Sequence, residues 1–186
     1  VISRITIDAG HGGYDAGAVA GKVKEKDINL AVALHIKDSL VRRGHSVIMT
    51  RETDIYPTLR KRCQIANENK SDVFISVHCN SVAVNTAASG IETWYFDTSF
   101  DGASLAAAVM VKLIRLTEAV NRGVKGTTEL YVLKNTDMPA ILVECGFMST
   151  KDDLNKLIDP HYQALLGTSI ANGIEDYFNL KPIKKG

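Results

Sequence analysis

The sequence predicts an α/β domain: a twisted, mostly parallel sheet with helices on both faces. Three observations predict it. Short β-branched or apolar runs recur along the chain, as in Arg4-Ile5-Thr6-Ile7, Asp72-Val73-Phe74-Ile75-Ser76-Val77 and Ala140-Ile141-Leu142-Val143. Segments with helical apolar spacing alternate with these runs, and such alternation calls for crossover connections. The chain has 186 residues and no internal repeat, enough for one domain with a substantial core.

The first strand is the run at Arg4-Ile5-Thr6-Ile7. It breaks into Asp8-Ala9-Gly10-His11-Gly12-Gly13, where glycines leave room beside one imidazole. In open α/β sheets ligands bind at the carboxyl edge, so His11 is placed like a site residue. A phosphate cradle is a second reading of the glycines. It lacks support, because neither Gly-x-Gly-x-x-Gly nor Gly-Lys-Ser/Thr follows the strand.

Asp27 is the expected N-cap of a helix through Ile28, Leu30, Ala31, Leu34, Ile36 and Leu40. Arg42-Arg43-Gly44 suits its basic C-terminus and stop. Glu25 then lies just before the helix, where a charge complementing the dipole is the plain reading. Ser46-Val47-Ile48-Met49 is the next strand, ending at Thr50-Arg51. Pro57 opens a helix that buries Leu59, Ile65 and Ala66. The strand from Asp72 to Val77 is nearly all apolar, as a central parallel strand should be, and delivers His78-Cys79-Asn80 to its end.

Val82 to Ser89 reads as a surface loop and Gly90 to Phe96 as another strand. Ala103 to Ala119 carries apolar residues at helical spacing. Residues Asn121 to Gly126 read as a basic, glycine-broken loop containing Arg122, and Leu130-Tyr131-Val132-Leu133 as a short strand. Ala140 to Val143 is a buried strand that ends in Glu144, and an unpaired buried carboxylate is costly. A cation beside it would meet that need. The last helix runs from Pro160 to Phe178. Residues 1–180 form the expected domain, and 181–186 a tail or linker stub.

Composition narrows the function classes. A net charge of +1 gives no strong field for nucleic acid or membrane. The three cysteines, Cys63, Cys79 and Cys145, contain no Cys-x-x-Cys pair, so neither a disulfide framework nor a thiolate zinc site is expected. Cys79 and Cys145 flank polar strand ends, and a nucleophilic thiol is the reading to weigh there. No run reaches transmembrane length and no signal peptide is seen. A chain starting at Val1 is expected to be a processed or excised piece.

Three strand ends and one turn before a helix therefore offer His11, Glu25, His78 and Glu144. Two imidazoles and a carboxylate make a common open zinc set, with a further carboxylate left for proton transfer. Spacing does not decide which glutamate would bind metal. There is no His-Glu-x-x-His, so the site is not borne on one helix.

The motifs Ile7-Asp8-Ala9-Gly10-His11-Gly12-Gly13 and Glu25-Lys26-Asp27-Ile28-Asn29-Leu30 continue with Thr50-Arg51, Ser76-Val77-His78-Cys79-Asn80 and Val143-Glu144-Cys145-Gly146-Phe147-Met148-Ser149. In order and spacing this set resembles the zinc-dependent N-acetylmuramoyl-L-alanine amidases of bacterial cell-wall hydrolases and phage endolysins, to about Leu180. Ala9 departs from the family's frequent proline, which affects turn rigidity rather than chemistry. The resemblance implies a six-stranded sheet, one Zn2+ held by His11, Glu25 and His78, and Glu144 as the catalytic carboxylate. Asn80 and Arg122 lie near those motifs and are assigned to substrate binding. The implied reaction hydrolyses the amide between N-acetylmuramic acid and L-alanine of the stem peptide. Glu144 takes a proton from water and passes it to the leaving amine. Peptidoglycan is the implied partner, with a separate wall-binding module in the parent protein and a monomeric domain. Its place is the cell wall, reached by secretion or as a phage lysin. A zinc peptidase acting on the stem, a wall-binding module without activity and a phosphate-binding enzyme are the competing readings.

Overall fold

A computed structural model of the chain describes residues 2–82 and 87–180. The expected tail at 181–186 and the middle of the expected loop, 83–86, lie outside the described residues. The strands are β1 (Arg4–Ala9), β2 (Val19–Ala20), β3 (Val23–Lys24), β4 (Ser46–Met49), β5 (Val73–Asn80), β6 (Ile91–Phe96), β7 (Asn121–Thr127) and β8 (Ala140–Phe147). The helices are α1 (Glu25–Arg42), α2 (Leu59–Glu68), α3 (Phe100–Thr117), α4 (Tyr131–Lys134), α5 (Lys151–Leu157) and α6 (Pro160–Leu180).

Six strands form one sheet in the order β4-β1-β5-β8-β6-β7, with β2 and β3 as a separate small hairpin. Every pairing in the six-stranded sheet is parallel except β6 with β8. The mostly parallel α/β expectation therefore holds. Period-two alternation sorts each strand between two unequal faces. Ile5 and Ile7, then Val73, Ile75 and Val77, then Ile141 and Val143 point into a large core with residues of α1, α3 and α6. Phe74, Ala140 and Leu142 point the other way, into a small cluster with Cys63 and Ala66 of α2 and Val132 and Leu133 of α4. One face is thus thickly covered by long helices, and the other only by two short ones.

Several expectations are corrected. Helix α1 starts at Glu25, with Lys24 as an N-cap lacking a side-chain bond, so Asp27 sits inside the first turn. The hairpin β2–β3 leads straight into it, and the first N–H groups of the helix, at Glu25 and Lys26, donate to the carbonyls of Ala18 and Ala16 instead of a side-chain cap. Residues 121–126 are not a loop. They form most of β7, an edge strand parallel to β6, whose backbone pairing tolerates glycine and basic residues that local propensity assigns to loops. Leu130 to Leu133 is not a strand: Val132 and Leu133 are buried in succession, within or beside the single turn of α4, against α2. Helix α5 went unforeseen because only Leu157 in it is buried. Among the described residues no helix is long and apolar enough to cross a membrane.

Candidate metal centre

The carboxyl ends of β1 and β5 bring two histidines together. His11 follows β1 in the left-handed region, with φ of 59°, and Gly12 and Gly13 after it are also at positive φ. A non-glycine residue there is strained and needs external support. Two buried arginines supply it. Arg51 Nε donates to the Ala9 carbonyl, and its Nη2 donates to those of Gly10 and Lys26. Arg62 Nη1 donates to Ala9 O and Asp8 Oδ1, and its Nη2 to the carbonyl of His11 itself. Asp8 also accepts from Thr50 Oγ1 and Ser76 Oγ, each at 2.7 Å. Asp8 and Arg62 are both buried, so removing either leaves an unpaired charge, at a cost of about 3–5 kcal/mol.

Asp15 sets the His11 ring. Its Oδ2 lies 2.8 Å from His11 Nδ1, which turns Nε2 toward Glu25 Oε2 at 3.2 Å. His78, the penultimate polar residue of β5, places Nδ1 3.0 Å from Glu25 Oε1. Glu25 comes from the first turn of α1 and is 4% exposed. The rings of His11 and His78 stand edge to face with centroids 4.9 Å apart. Ligand atoms of His11, Glu25 and His78 all lie within 4.8 Å of one another.

Electrostatics follow from this geometry. Burial opposes the charged form of His11, but the bonds and charges of Glu25 and Asp15 outweigh it and raise its pKa to about 9. Burial would raise Glu25, yet bonds and charge from both histidines hold it far below the usual carboxylate range. A carboxylate that favours positive charge beside it is the electrostatic setting a divalent cation needs. The space around the triad is also reserved. A Cβ at Gly10 would overlap the His78 ring, and one at Gly17 would come within 2.7 Å of His11 Cδ2. The donor set of two imidazoles and one carboxylate fits a zinc ion.

Glu144 is the register partner of His78 on the neighbouring strand β8. Its Oε2 is buried and has no hydrogen-bond partner among the described residues. Burial pushes its carboxyl up to about 7, with the charge of His78 working against the shift and those of Glu25 and Glu92 adding to it. The structure therefore brings together His11, Glu25, His78 and Glu144. Asn80 ends β5 nearby and lines a cavity of about 260 Å³ together with Glu144. Arg122 stands two strands away, on β7, bonded to Glu92. A second, more apolar cavity of about 360 Å³ opens on His11 and His78, lined by Tyr56, Leu59 and Leu130.

Cys79 and Cys145 are buried in the main core, and burial raises both thiols well above their ordinary value. That speaks against a thiolate nucleophile. Sequence reading missed Asp15, Arg62 and Glu92. Asp15 had a local signal, a carboxylate four residues after His11 in the same turn. Glu92 had another, one acidic residue inside an apolar strand. Arg62 had none, because its partners in the His11 turn, Asp8, Ala9 and His11, are 51–54 residues away.

A family profile described as N-acetylmuramoyl-L-alanine amidase matches residues 5–176. The germination-specific N-acetylmuramoyl-L-alanine amidase of Bacillus subtilis is 35% identical over 95% of this chain and 80% of its own length. An endolysin of Bacillus phage SPP1 is 35% identical over 95% of this chain and 66% of its own. The crystal structure of an N-acetylmuramoyl-L-alanine amidase from Clostridium difficile 630 superposes with a TM-score of 0.93. It is 34% identical and the match covers 97% of this chain and 99% of that one.

Proposed function

We infer the reaction from one premise: this chain belongs to the N-acetylmuramoyl-L-alanine amidase family. It is a peptidoglycan amidase that cleaves between N-acetylmuramic acid and L-alanine of the stem peptide. The observation that carries the mechanism is the convergence of His11, Glu25 and His78 beside a buried Glu144 oxygen that has no partner among the described residues.

In this reading His11, Glu25 and His78 hold one zinc ion. When bound, the ion supplies Lewis acidity toward water and toward the scissile carbonyl. Glu144 moves the proton. Its carboxylate accepts one from the attacking water and then donates it to the alanine nitrogen as the amide breaks. A pKa raised to about 7 suits a group that must do both near neutral pH. Asp15 keeps the His11 ring turned so that Nε2 faces the centre. Asn80 and Arg122 contact substrate. Residues 1–180 are the catalytic domain, peptidoglycan is its partner and the cell wall its place of action. A separate wall-binding module belongs to the parent protein.

Metal analysis together with mass spectrometry of digested peptidoglycan tests this reading. One zinc per chain and a new L-alanine amino group on an intact stem are expected. Cuts within the stem peptide would instead identify a peptidase built on the same centre.

A further inference from the structure

Glu92 lies in β6, on the far side of Glu144 from the histidines. It is Glu144's register partner and only 3% exposed. Neither the metal centre nor the proton transfer uses it. Nonetheless it accepts four hydrogen bonds: from Asn80 Nδ2 at 3.0 Å and Trp94 Nε1 at 3.1 Å on Oε1, and from Arg122 Nε at 2.9 Å and Lys125 Nζ at 2.6 Å on Oε2. A carboxylate offers about four acceptor sites, so Glu92 is saturated and has nothing left for a ligand.

Its donors are not saturated. Arg122 spends one of its donors on Glu92, and so does Lys125. Both side chains are 33% exposed. Each is also steadied by an aromatic face: the Arg122 guanidinium stands 4.7 Å from the Phe147 ring centroid, and the Lys125 ammonium 5.0 Å from that of Trp94. Two cations share one carboxylate, which leaves one positive charge uncompensated within the group. Glu129, which also lines the cavity, is exposed, and its carboxylate accepts from Thr128 Oγ1.

Direction follows from the proton transfer. If Glu144 protonates the leaving amine, the peptide half of the substrate departs on Glu144's side. That side holds the cavity lined by Asn80, Glu92, Trp94, Glu129 and Glu144, which Arg122 and Lys125 adjoin through their bonds to Glu92. We propose that Glu92 is a positioning residue whose held set of Asn80, Trp94, Arg122 and Lys125 forms the stem-peptide subsite, and that Arg122 and Lys125 there select a carboxylate over a carboxamide. The proposal rests on the amidase reading above.

The zinc-loaded protein is assayed on N-acetylmuramoyl-L-alanyl-D-glutamate and on the same compound with its α-carboxylate amidated. The carboxylate form should show a KM lower by about tenfold, the scale of one charge-assisted hydrogen bond, with kcat little changed. Arg122→Gln and Lys125→Gln should each narrow that ratio, and the double variant should erase it. Arg122→Lys should retain most of it. Glu92→Gln, which frees both cations from their shared anchor, should change the ratio through KM for the carboxylate form, at unchanged zinc content. A merely structural Glu92 would lower turnover on both substrates alike and leave the ratio intact. Should Glu92→Gln fail to fold, the two partly exposed cations still decide the matter. Equal KM values in the wild type, or a ratio that survives the double variant, overturn the subsite. Intact muramoyl-alanine amides in both compounds overturn the amidase reading instead.

Discussion

Glu25 and Glu144 mark two ends of one site joined by His78, and their surroundings push them in opposite directions. Glu25, at the start of α1, accepts from the backbone of Ala18 and Cys79, from Asn29, and pairs with both histidines. Glu144, on β8, keeps a buried oxygen with no partner among the described residues. Burial disfavours the charge on both. What differs is the density of donors and cations around each, and that decides the outcome. A carboxylate held by fixed donors is a stable ligand. A carboxyl left without them titrates near neutrality and can carry a proton.

Removing the metal-binding end breaks the comparison most severely. His11→Ala, Glu25→Ala and His78→Ala should each lose bound zinc and, with it, measurable turnover. Full zinc and activity in either histidine variant would show that the centre is elsewhere. The next largest effect belongs to the other end. Glu144→Gln keeps size and removes the titrating group, so turnover should fall by about 10²–10⁴-fold while zinc content and folding persist. Loss of zinc in that variant would make Glu144 a ligand and return Glu25 to the role of a helix-capping charge.

Asp15→Asn tests how firmly the metal end is oriented. It should weaken zinc affinity by about 10–100-fold, as read by chelator competition, without unfolding the domain. An unchanged affinity would leave the His11–Asp15 bond without a role in the centre.

A smaller effect is expected in the pH dependence of the metal-free protein. Glu144 is raised from 4.5 to about 7 and His11 from 6.5 to about 9. Between each pair of values the folded state holds more protons than the unfolded one. Stability should therefore fall as pH climbs from about 4.5 to about 9, most of Glu144's share being gone by about 7. Denaturant melts of the metal-free wild type and Glu144→Gln should show a shallower decline in the variant over the lower part of that range. Equal slopes would mean that Glu144 is not raised.

The smallest expected effect is none. Cys79→Ser and Cys145→Ser, if folded and zinc-loaded, should turn over substrate like the wild type. Complete loss in either would bring back the thiol nucleophile.

Local sequence was enough to identify the parallel α/β class. Continuous apolar runs such as Val73 to Val77 and helical spacing such as Ile28 to Leu40 record burial directly. It also placed His11 just past β1 and His78 near the end of β5, whereas Glu144, read as closing an apolar run, sits inside β8, which continues through Cys145 and Gly146 to Phe147. Local chemistry did not reveal β7, whose Asn-Arg-Gly-Val-Lys-Gly reads as loop until β6 supplies its hydrogen bonds. Nor did it distinguish Glu25 from Glu144. That distinction depends on Ala18, Asn29, His78 and Cys79 around one carboxylate and on the lack, among the described residues, of any such donor at one oxygen of the other. The arginine support under His11 and the Glu92 set are likewise products of folding, assembled across 25 to 54 residues by Arg51 and Arg62 and across 2 to 33 by Glu92. A residue's burial pattern is written into its immediate neighbours. The pKa and the role of a buried carboxyl are set by groups that only the closed sheet brings within hydrogen-bonding distance.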